Sequence, residues 1–181
     1  YGLVGSEMCI RDRFDIVNIP FIRYVASKGK PIILSTGMSH MSEIEDAVEA
    51  ISLEQNPNLI LLHCVSAYPC DISDVNLKVI DTMKRAFGVP IGYSDHTVGT
   101  LASSISFSLG SSVLEKHFTL DKLMEGPDHI LSSDTDEMKE IVFNRNNIFL
   151  GLVNSKVKEL SLKACDFNSF TAVKSLSLIH I

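Results

Sequence analysis

The sequence contains four short apolar segments, each followed by an amphipathic helical pattern. They start at Ile32, Leu59, Ile91 and Val113, between 22 and 32 residues apart. Strands at this spacing, with a helix between them, form parallel sheets through right-handed crossovers, in a (β/α)8 barrel or a doubly wound sheet. No Gly-x-Gly-x-x-Gly motif follows any segment, so a dinucleotide-binding sheet loses its main support. We predict an α/β fold in which these four units form half of a (β/α)8 barrel.

The composition agrees with a buried sheet and excludes several classes of function. Of the 181 residues, 45% are hydrophobic, and the formal net charge of −6 gives no electrostatic reason to expect nucleic acid or an anionic membrane as partner. No apolar run approaches the roughly 20 residues of a membrane span. The four cysteines lack Cys-x-x-Cys spacing, so neither a zinc site nor a disulfide framework is indicated. We expect a cytoplasmic protein.

The two ends of the chain fit no periodic element. Residues 1–13 and 175–181 are therefore predicted to be non-native tails and are left out of the fold prediction. Residues 14–151 carry the strand and helix patterns of the half-barrel. Beyond them the pattern weakens into scattered Lys, Asn and Ser, and residues 152–174 are predicted to be a linker towards a further domain.

Two of the predicted strands end in polar clusters that each contain a histidine. His96 lies in the cluster Ser94 to Thr97, and His117 lies in the cluster Glu115 to Thr119. The carboxyl ends of parallel strands meet at one edge, where α/β folds bind their ligands. The two histidines are therefore expected to face one pocket. The helix predicted between the clusters has apolar residues at helical spacing: Val98, Leu101, Ala102, Ile105 and Leu109.

Each of the two histidines has a carboxylate beside it, which suggests a metal site. Imidazole and carboxylate ligands with open positions suit Mn²⁺, Zn²⁺ or Fe²⁺, and the neighbouring carboxylates are Asp95 and Glu115. Strand alternation puts Glu115 and His117 on one side and turns Lys116 to the outer face. The alternative is that both histidines are hydrogen-bonded for structural reasons.

The remaining histidines in the predicted fold have less specific surroundings. His63 lies inside an apolar strand and is predicted to be a hydrogen-bonded core residue. His40 precedes a helix and is predicted to be solvated. His129 follows Gly-Pro-Asp in a loop near the expected site.

Hydroxyl side chains stand at three successive strand ends. They are the Ser35-Thr36-Gly37 segment, Ser66 and Ser94. Hydroxyls and backbone N–H groups that converge at such an edge can hold a phosphate. Helix capping by serine and threonine is the simpler alternative.

Five motifs resemble the sialic acid synthase family over about residues 14–151. They are KPIILSTGM (30–38), LLHCVSAYP (61–69), the segment ending in GYSDHT (75–97), EKHFTLDK (115–122) and GPDH (126–129). The resemblance implies a (β/α)8 barrel, of which this chain carries about strands five to eight. It also implies condensation of phosphoenolpyruvate with an N-acetylmannosamine-type sugar, phosphate release, a divalent metal (Mn²⁺ or Mg²⁺), and a C-terminal antifreeze-like domain that reaches across a homodimer.

The same resemblance implies roles for individual side chains. His96 and His117 would be the metal ligands. The phosphate of phosphoenolpyruvate would contact Ser35, Ser66 and Ser94, with Tyr68 beside them. Glu115 would be the acid–base catalyst, and Asp128 would be a sugar-side carboxylate near the metal. The first half-barrel, with a further catalytic glutamate, has no counterpart in this sequence, so the chain is expected to be an inactive fragment on its own.

Other functions remain open at this point. One is a different phosphoenolpyruvate-using aldol-type synthase, or an aldolase, on the same barrel. Another is a non-catalytic half-barrel that acts as a binding module. Within the synthase family, GYSDHT together with GPDH favours the neuraminate and legionaminate branch over the pseudaminate one. The tract Ile130 to Asp134 departs from the small-residue run usual after GPDH, which bears on sugar specificity.

Overall fold

A computed structural model describes the backbone of residues 9–11 and the structure of residues 15–153. Five strands are found there: β1 Cys9–Arg11, β2 Ile32–Ser35, β3 Leu59–Cys64, β4 Ile91–Asp95 and β5 Leu114–Lys116. A short 3-10 helix, Asp15–Val17, precedes five α-helices: α1 Ile19–Ala26, α2 Met41–Leu53, α3 Val79–Phe87, α4 Leu101–Ser108 and α5 Thr135–Val153. A helix follows each strand from β2 to β5, which is the alternation that the sequence predicts.

The strands form one parallel sheet whose spatial order is the order of the chain, β1-β2-β3-β4-β5. Each helical crossover therefore advances the chain by one strand, as in a (β/α)8 barrel, whereas a doubly wound sheet reverses its order. The structure confirms the predicted α/β class and the parallel half-barrel sheet. No helix within residues 9–11 and 15–153 is long and apolar enough to cross a membrane.

The predicted boundaries fall partly outside the described residues. Within the predicted tail 1–13, Cys9–Arg11 forms β1 and pairs with β2, although the sequence shows no periodic element there. At the other end α5 extends into the predicted linker and ends at Val153. The remainder of that linker and the predicted tail 175–181 lie outside the described residues.

Alternation along the strands divides the apolar side chains between the two faces of the sheet. The outer face packs against the helices, and its buried strand residues include Ile32, Leu34, Leu61, Ile91 and Tyr93. The inner face has a smaller cluster: Ile33, Leu62 and Val113, with Ile60 packed against it. By the same alternation the inner face ends in a polar row at the carboxyl edge: Ser35, Cys64, Ser94 and Glu115.

The two strands that lead to the histidines run further than their apolar segments indicate. β4 continues past Tyr93 to Asp95, and β5 begins at Leu114 and ends at Lys116. The parallel pairing continues through these polar residues, with Asp95 opposite Lys116. Because they belong to the sheet, the directions of their side chains follow strict alternation.

Helix α4 buries a different face from the one that its apolar spacing predicts. Ala102 is buried as predicted, but the other expected inward residues are exposed: Val98, Leu101, Ile105 and Leu109. The side chains that join Ala102 against the sheet are Ser103 and Ser106. The hydroxyl of Ser103 donates to the buried carboxylate of Asp95 in β4. The buried face of α4 therefore includes a polar contact to the sheet that hydropathy does not predict.

Gly92 lies on the inner face of β4 where a side chain does not fit. A Cβ there would stand 2.4 Å from Leu62 Cδ2 and 2.7 Å from the carbonyl oxygen of Val113. The carbonyl cannot move easily, because it accepts the Tyr93 N–H at 2.8 Å. Glycine thus allows β3, β4 and β5 to close around the inner cluster.

We expect Gly92→Ala to lower the free energy of unfolding by about 1–3 kcal/mol, because the added methyl overpacks the inner face. Urea unfolding followed by circular dichroism measures this loss. Gly151→Ala in α5 is the control, since a Cβ there meets nothing within 4 Å, and it is expected to be neutral or stabilising. Equal effects of the two substitutions would contradict the close approach at Gly92.

His63 is the core histidine that the sequence predicts. Its exposure is 7%, and its Nε2 bonds the carbonyl oxygen of Val75 at 2.8 Å. Burial lowers the pKa of His63 below its ordinary value, outweighing the opposite effect of the Val75 carbonyl. His40, at the start of α2, is exposed as predicted.

Because the pKa of His63 is lowered in the folded protein, the free energy of unfolding is expected to decrease as the pH falls. As the pH falls below about 6.5, the unfolded chain takes up a proton at His63 before the folded one does. The free energy of unfolding of the wild type is therefore expected to fall more steeply with acidification than that of His63→Gln, by at most about 1.4 kcal/mol per pH unit. Urea unfolding at a series of pH values tests this, with His40→Gln as the exposed control. Parallel curves for the wild type and His63→Gln would refute the assignment.

Candidate functional site

Three aromatic rings meet at the carboxyl edge of the sheet. The ring centroids of His96 and His117 are 5.6 Å apart, so the structure brings together the two histidines that the sequence expects in one pocket. Tyr68, from the loop after β3, lies 4.1 Å from the His96 ring and 5.9 Å from the His117 ring. Tyr68 therefore lies against both histidines, and its predicted place beside the serines stays a prediction.

His96 is held from two directions. Its Nδ1 bonds the carbonyl oxygen of Val65 at 2.8 Å, and its own carbonyl oxygen accepts the Cys70 N–H at 2.9 Å. Because a carbonyl can only accept, Nδ1 carries the proton, and the lone pair of the neutral ring is on Nε2. Metal-binding histidines are commonly oriented by such a backbone carbonyl.

A direct hydrogen bond joins two of the predicted site residues. Ser94 and Glu115 lie opposite each other in β4 and β5, and the Ser94 hydroxyl donates to Glu115 Oε1 at 2.7 Å. Both side chains belong to the polar row on the inner face. The carboxylate predicted to act as acid or base is thus anchored by one of the hydroxyls predicted to contact phosphate.

The other two predicted phosphate contacts lie further along the same edge. Ser35 ends β2 and is 9% exposed. The Oγ of Ser66 is buried and has no hydrogen-bond partner among residues 15–153. A buried hydroxyl without a partner loses its hydration, and a bound ligand or water restores the missing hydrogen bond. The edge therefore suits a hydrogen-bonding ligand.

Asp95 corrects one sequence-based expectation. It was expected to stand beside His96 as a carboxylate of the metal site, but its fully buried side chain points to the outer face and pairs with Lys116 at 3.0 Å. The reason is that β4 continues through Asp95, so its side chain alternates away from His96. The outward direction predicted for Lys116 is confirmed. The sequence does contain a clue to this pair. Asp95 and Lys116 carry opposite charges, and each directly precedes a histidine, so strand alternation turns both away from the histidines.

The GPDH turn lies beyond β5. The carbonyl oxygen of Asp128 accepts the N–H and the hydroxyl of Ser132, while its carboxylate has no hydrogen bond or ion pair within the described part of the chain. His129 Nδ1 bonds the Thr119 hydroxyl at 2.8 Å. The role of Asp128 as a sugar-side carboxylate stays a prediction.

The donor types at the edge fit a divalent cation in an open site. Two imidazoles and the nearby carboxylate of Glu115 are ligands that Mn²⁺, Zn²⁺ and Fe²⁺ accept. Within residues 15–153 no group of three or more His, Cys, Asp or Glu side chains is arranged to hold a metal ion. Metal binding by His96 and His117 stays a prediction.

Curated relatives share long stretches of this sequence. An uncharacterised protein of Methanocaldococcus jannaschii is 54% identical over 130 residues, which cover 72% of this chain and 39% of that protein. The N,N′-diacetyllegionaminic acid synthase of Legionella pneumophila is 43% identical over 132 residues, 71% of this chain and 37% of its own. A pseudaminic acid synthase of Campylobacter jejuni is 46% identical over 122 residues, 67% of this chain and 36% of its own. The chain thus spans less than two fifths of the length of these relatives.

Solved structures and a family model complete the comparison. The N-acetylneuraminic acid synthetase of Leptospira borgpetersenii superposes with a TM-score of 0.81 at 36% identity, over 87% of this chain and 55% of that one. A phospho-2-dehydro-3-deoxyheptonate aldolase of Thermotoga maritima gives a TM-score of 0.72 at 16% identity, over 81% of this chain and 46% of its own, a likeness of fold alone. The NeuB family model matches residues 13–156, most of the chain. The resemblance seen in the motifs is confirmed, and the chain belongs to the NeuB family.

Proposed function

We propose that this chain carries part of the active site of a nonulosonic acid synthase. Such an enzyme condenses phosphoenolpyruvate with an N-acetylated hexosamine, forms a carbon–carbon bond and releases phosphate. The observation that carries the proposal is the pair His96 and His117 beside the Ser94–Glu115 hydrogen bond, at the ligand-binding edge of a parallel sheet. Membership of a family whose named relatives make legionaminic and pseudaminic acids supports it.

The proposal places the chain as about strands five to eight of the full barrel. The relatives are more than twice as long as the matched region, so we expect other strands to complete the pocket. On this view the chain alone is inactive, and the complete enzyme is a cytoplasmic homodimer.

The serines would bind the phosphate of phosphoenolpyruvate. Ser35 and Ser66 stand at adjacent strand ends, and the buried Ser66 hydroxyl lacks a partner in the described residues. A phosphate oxygen would give it one, and backbone N–H groups at the same edge could add others. The Ser94 hydroxyl donates a hydrogen bond to Glu115. When phosphate binds, Ser94 would either accept a hydrogen bond from a neighbouring group or redirect its own to a phosphate oxygen.

The histidine pair would hold the divalent metal, Mn²⁺ or Mg²⁺, against the sugar. The cation would act as a Lewis acid that polarises the aldehyde oxygen of the sugar. His96 presents the nitrogen opposite its bond to the Val65 carbonyl, and His117 faces the same space from β5. Tyr68 packs on both rings and restricts their movement.

Glu115 would act as the general base for the water that completes the reaction. The enol carbon of phosphoenolpyruvate bonds to the aldehyde carbon, the aldehyde π bond opens, and the aldehyde oxygen takes up a proton. Water adds to the resulting cationic carbon, and the proton it gives up replaces the one that the aldehyde oxygen takes. The hydroxyl that water leaves loses its second proton to the departing phosphate. A carboxylate positioned by Ser94 can take the proton of that water as general base. The carbon–oxygen bond to phosphate then breaks, and phosphate leaves. Asp128 would contact the sugar, and the GYSDHT and GPDH motifs favour a neuraminate or legionaminate precursor.

The activity test replaces the matched region of the full-length Legionella pneumophila relative with the corresponding residues of this chain. With Mn²⁺, we expect phosphate release from phosphoenolpyruvate that requires N-acetylmannosamine or its diacetylated relative. His96→Ala and His117→Ala should each lower kcat/KM by at least about 100-fold, because each removes a metal ligand. Release by neither sugar from a folded, Mn²⁺-loaded chimaera would reject the proposed reaction.

Glu115→Gln tests the acid–base role separately. We expect kcat to fall by about 100- to 10,000-fold with little change in the KM for phosphoenolpyruvate, because the amide cannot take a proton. Glu45→Gln, on the exposed face of α2, is the control. A kcat within threefold of wild type for Glu115→Gln would exclude this carboxylate as the base.

A further inference from the structure

A closed hydrogen-bond network lies on the outer side of β4 and β5, beneath α4. At its centre, Lys116 Nζ is 3.0 Å from Asp95 Oδ2, and both side chains are 0% exposed. The two residues are directly paired in the parallel ladder. They lie on the face of the sheet opposite the histidines, outside the proposed substrate pocket.

The network satisfies both charged groups with hydrogen bonds. Asp95 Oδ1 accepts the N–H and the hydroxyl of Thr97, each at 2.8 Å, and the Tyr93 hydroxyl at 3.3 Å. Asp95 Oδ2 accepts Ser103 of α4 as well as Lys116. Lys116 Nζ also donates to the Thr97 carbonyl oxygen at 2.7 Å. Burial and the nearby Asp95 raise the pKa of the Tyr93 hydroxyl, so it remains a donor.

The residues of the network flank the two histidines along the chain. Asp95 and Thr97 stand on either side of His96, and Lys116 immediately precedes His117. Two bonds close the Asp95–Thr97 turn, and the ammonium group ties that turn to β5. The backbone that carries each imidazole is therefore fixed from the far side of the sheet.

Stability alone does not account for such a pair. Moving two charges out of water costs free energy, and well-packed apolar residues often replace a buried ion pair without loss of stability. A directional, hydrogen-bonded ion pair can add a fixed geometry to packing.

We propose that Asp95 and Lys116 are positioning residues that set the relative placement of His96 and His117. The consequence for metal binding rests on the proposed function of the histidine pair. The positioning itself concerns the two rings and is measured without metal.

The test uses the double variant Asp95→Asn with Lys116→Met, because removing one partner alone leaves a buried, unpaired charge. The readouts are the imidazole Cε1–H resonances of His96 and His117, assigned with His→Gln variants, and the Mn²⁺ dissociation constant from electron paramagnetic resonance. Ile80→Val, in the core on α3, controls for a general loss of packing.

We expect both imidazole resonances to shift and Mn²⁺ affinity to fall by about tenfold or more in the double variant, with neither change in Ile80→Val. Unchanged resonances would overturn the proposal. If the wild type binds no Mn²⁺, the proposed metal site fails, and the resonances alone decide the positioning.

If the double variant does not fold, Thr97→Val decides, because it removes the hydrogen bond from the Thr97 hydroxyl to Asp95. A shifted His96 resonance then supports the proposal, and an unchanged one overturns it.

Discussion

The parallel register between β4 and β5 determines which side chains meet on each face of the sheet. It places Ser94 opposite Glu115 and Asp95 opposite Lys116, so one alignment creates a hydrogen bond inside the barrel wall and an ion pair outside it. A slip by one residue would exchange the faces of every side chain on one strand. The slip would turn a charged residue, Asp95 or Lys116, to the inner face. It would also separate the Ser94–Glu115 and Asp95–Lys116 pairs. The alignment is therefore specified by polar contacts as well as by apolar packing.

The proposed site is the continuation of this register beyond the strands. His96 and His117 each follow the outward-facing charged residue by one position and return to the inner side. The Val65 carbonyl then orients His96 from β3's end, and Tyr68 covers both rings. Three successive strand ends thus contribute to one pocket, which is how parallel sheets commonly assemble a site from distant parts of the sequence.

The sequence predicted the class of fold, the neighbouring histidines and the outward Lys116, because strand spacing and alternation are local properties. It did not predict the side of the sheet taken by Asp95 or the buried face of α4. The side taken by Asp95 depends on where β4 ends. A polar residue does not mark the end of a strand when a partner of opposite charge lets it be buried, as Lys116 does for Asp95. In α4 the apolar Leu101 is exposed, whereas Ser103 is buried and donates a hydrogen bond to Asp95.

We propose that His96 and His117 together bind the divalent metal of the site. The most direct test is a crystal of the protein soaked in Mn²⁺, with anomalous scattering recorded at the manganese absorption edge. We expect an anomalous peak within coordination distance of an imidazole nitrogen of both His96 and His117. A fully soaked crystal with no peak between these rings, or with manganese bound elsewhere at the edge, would contradict it.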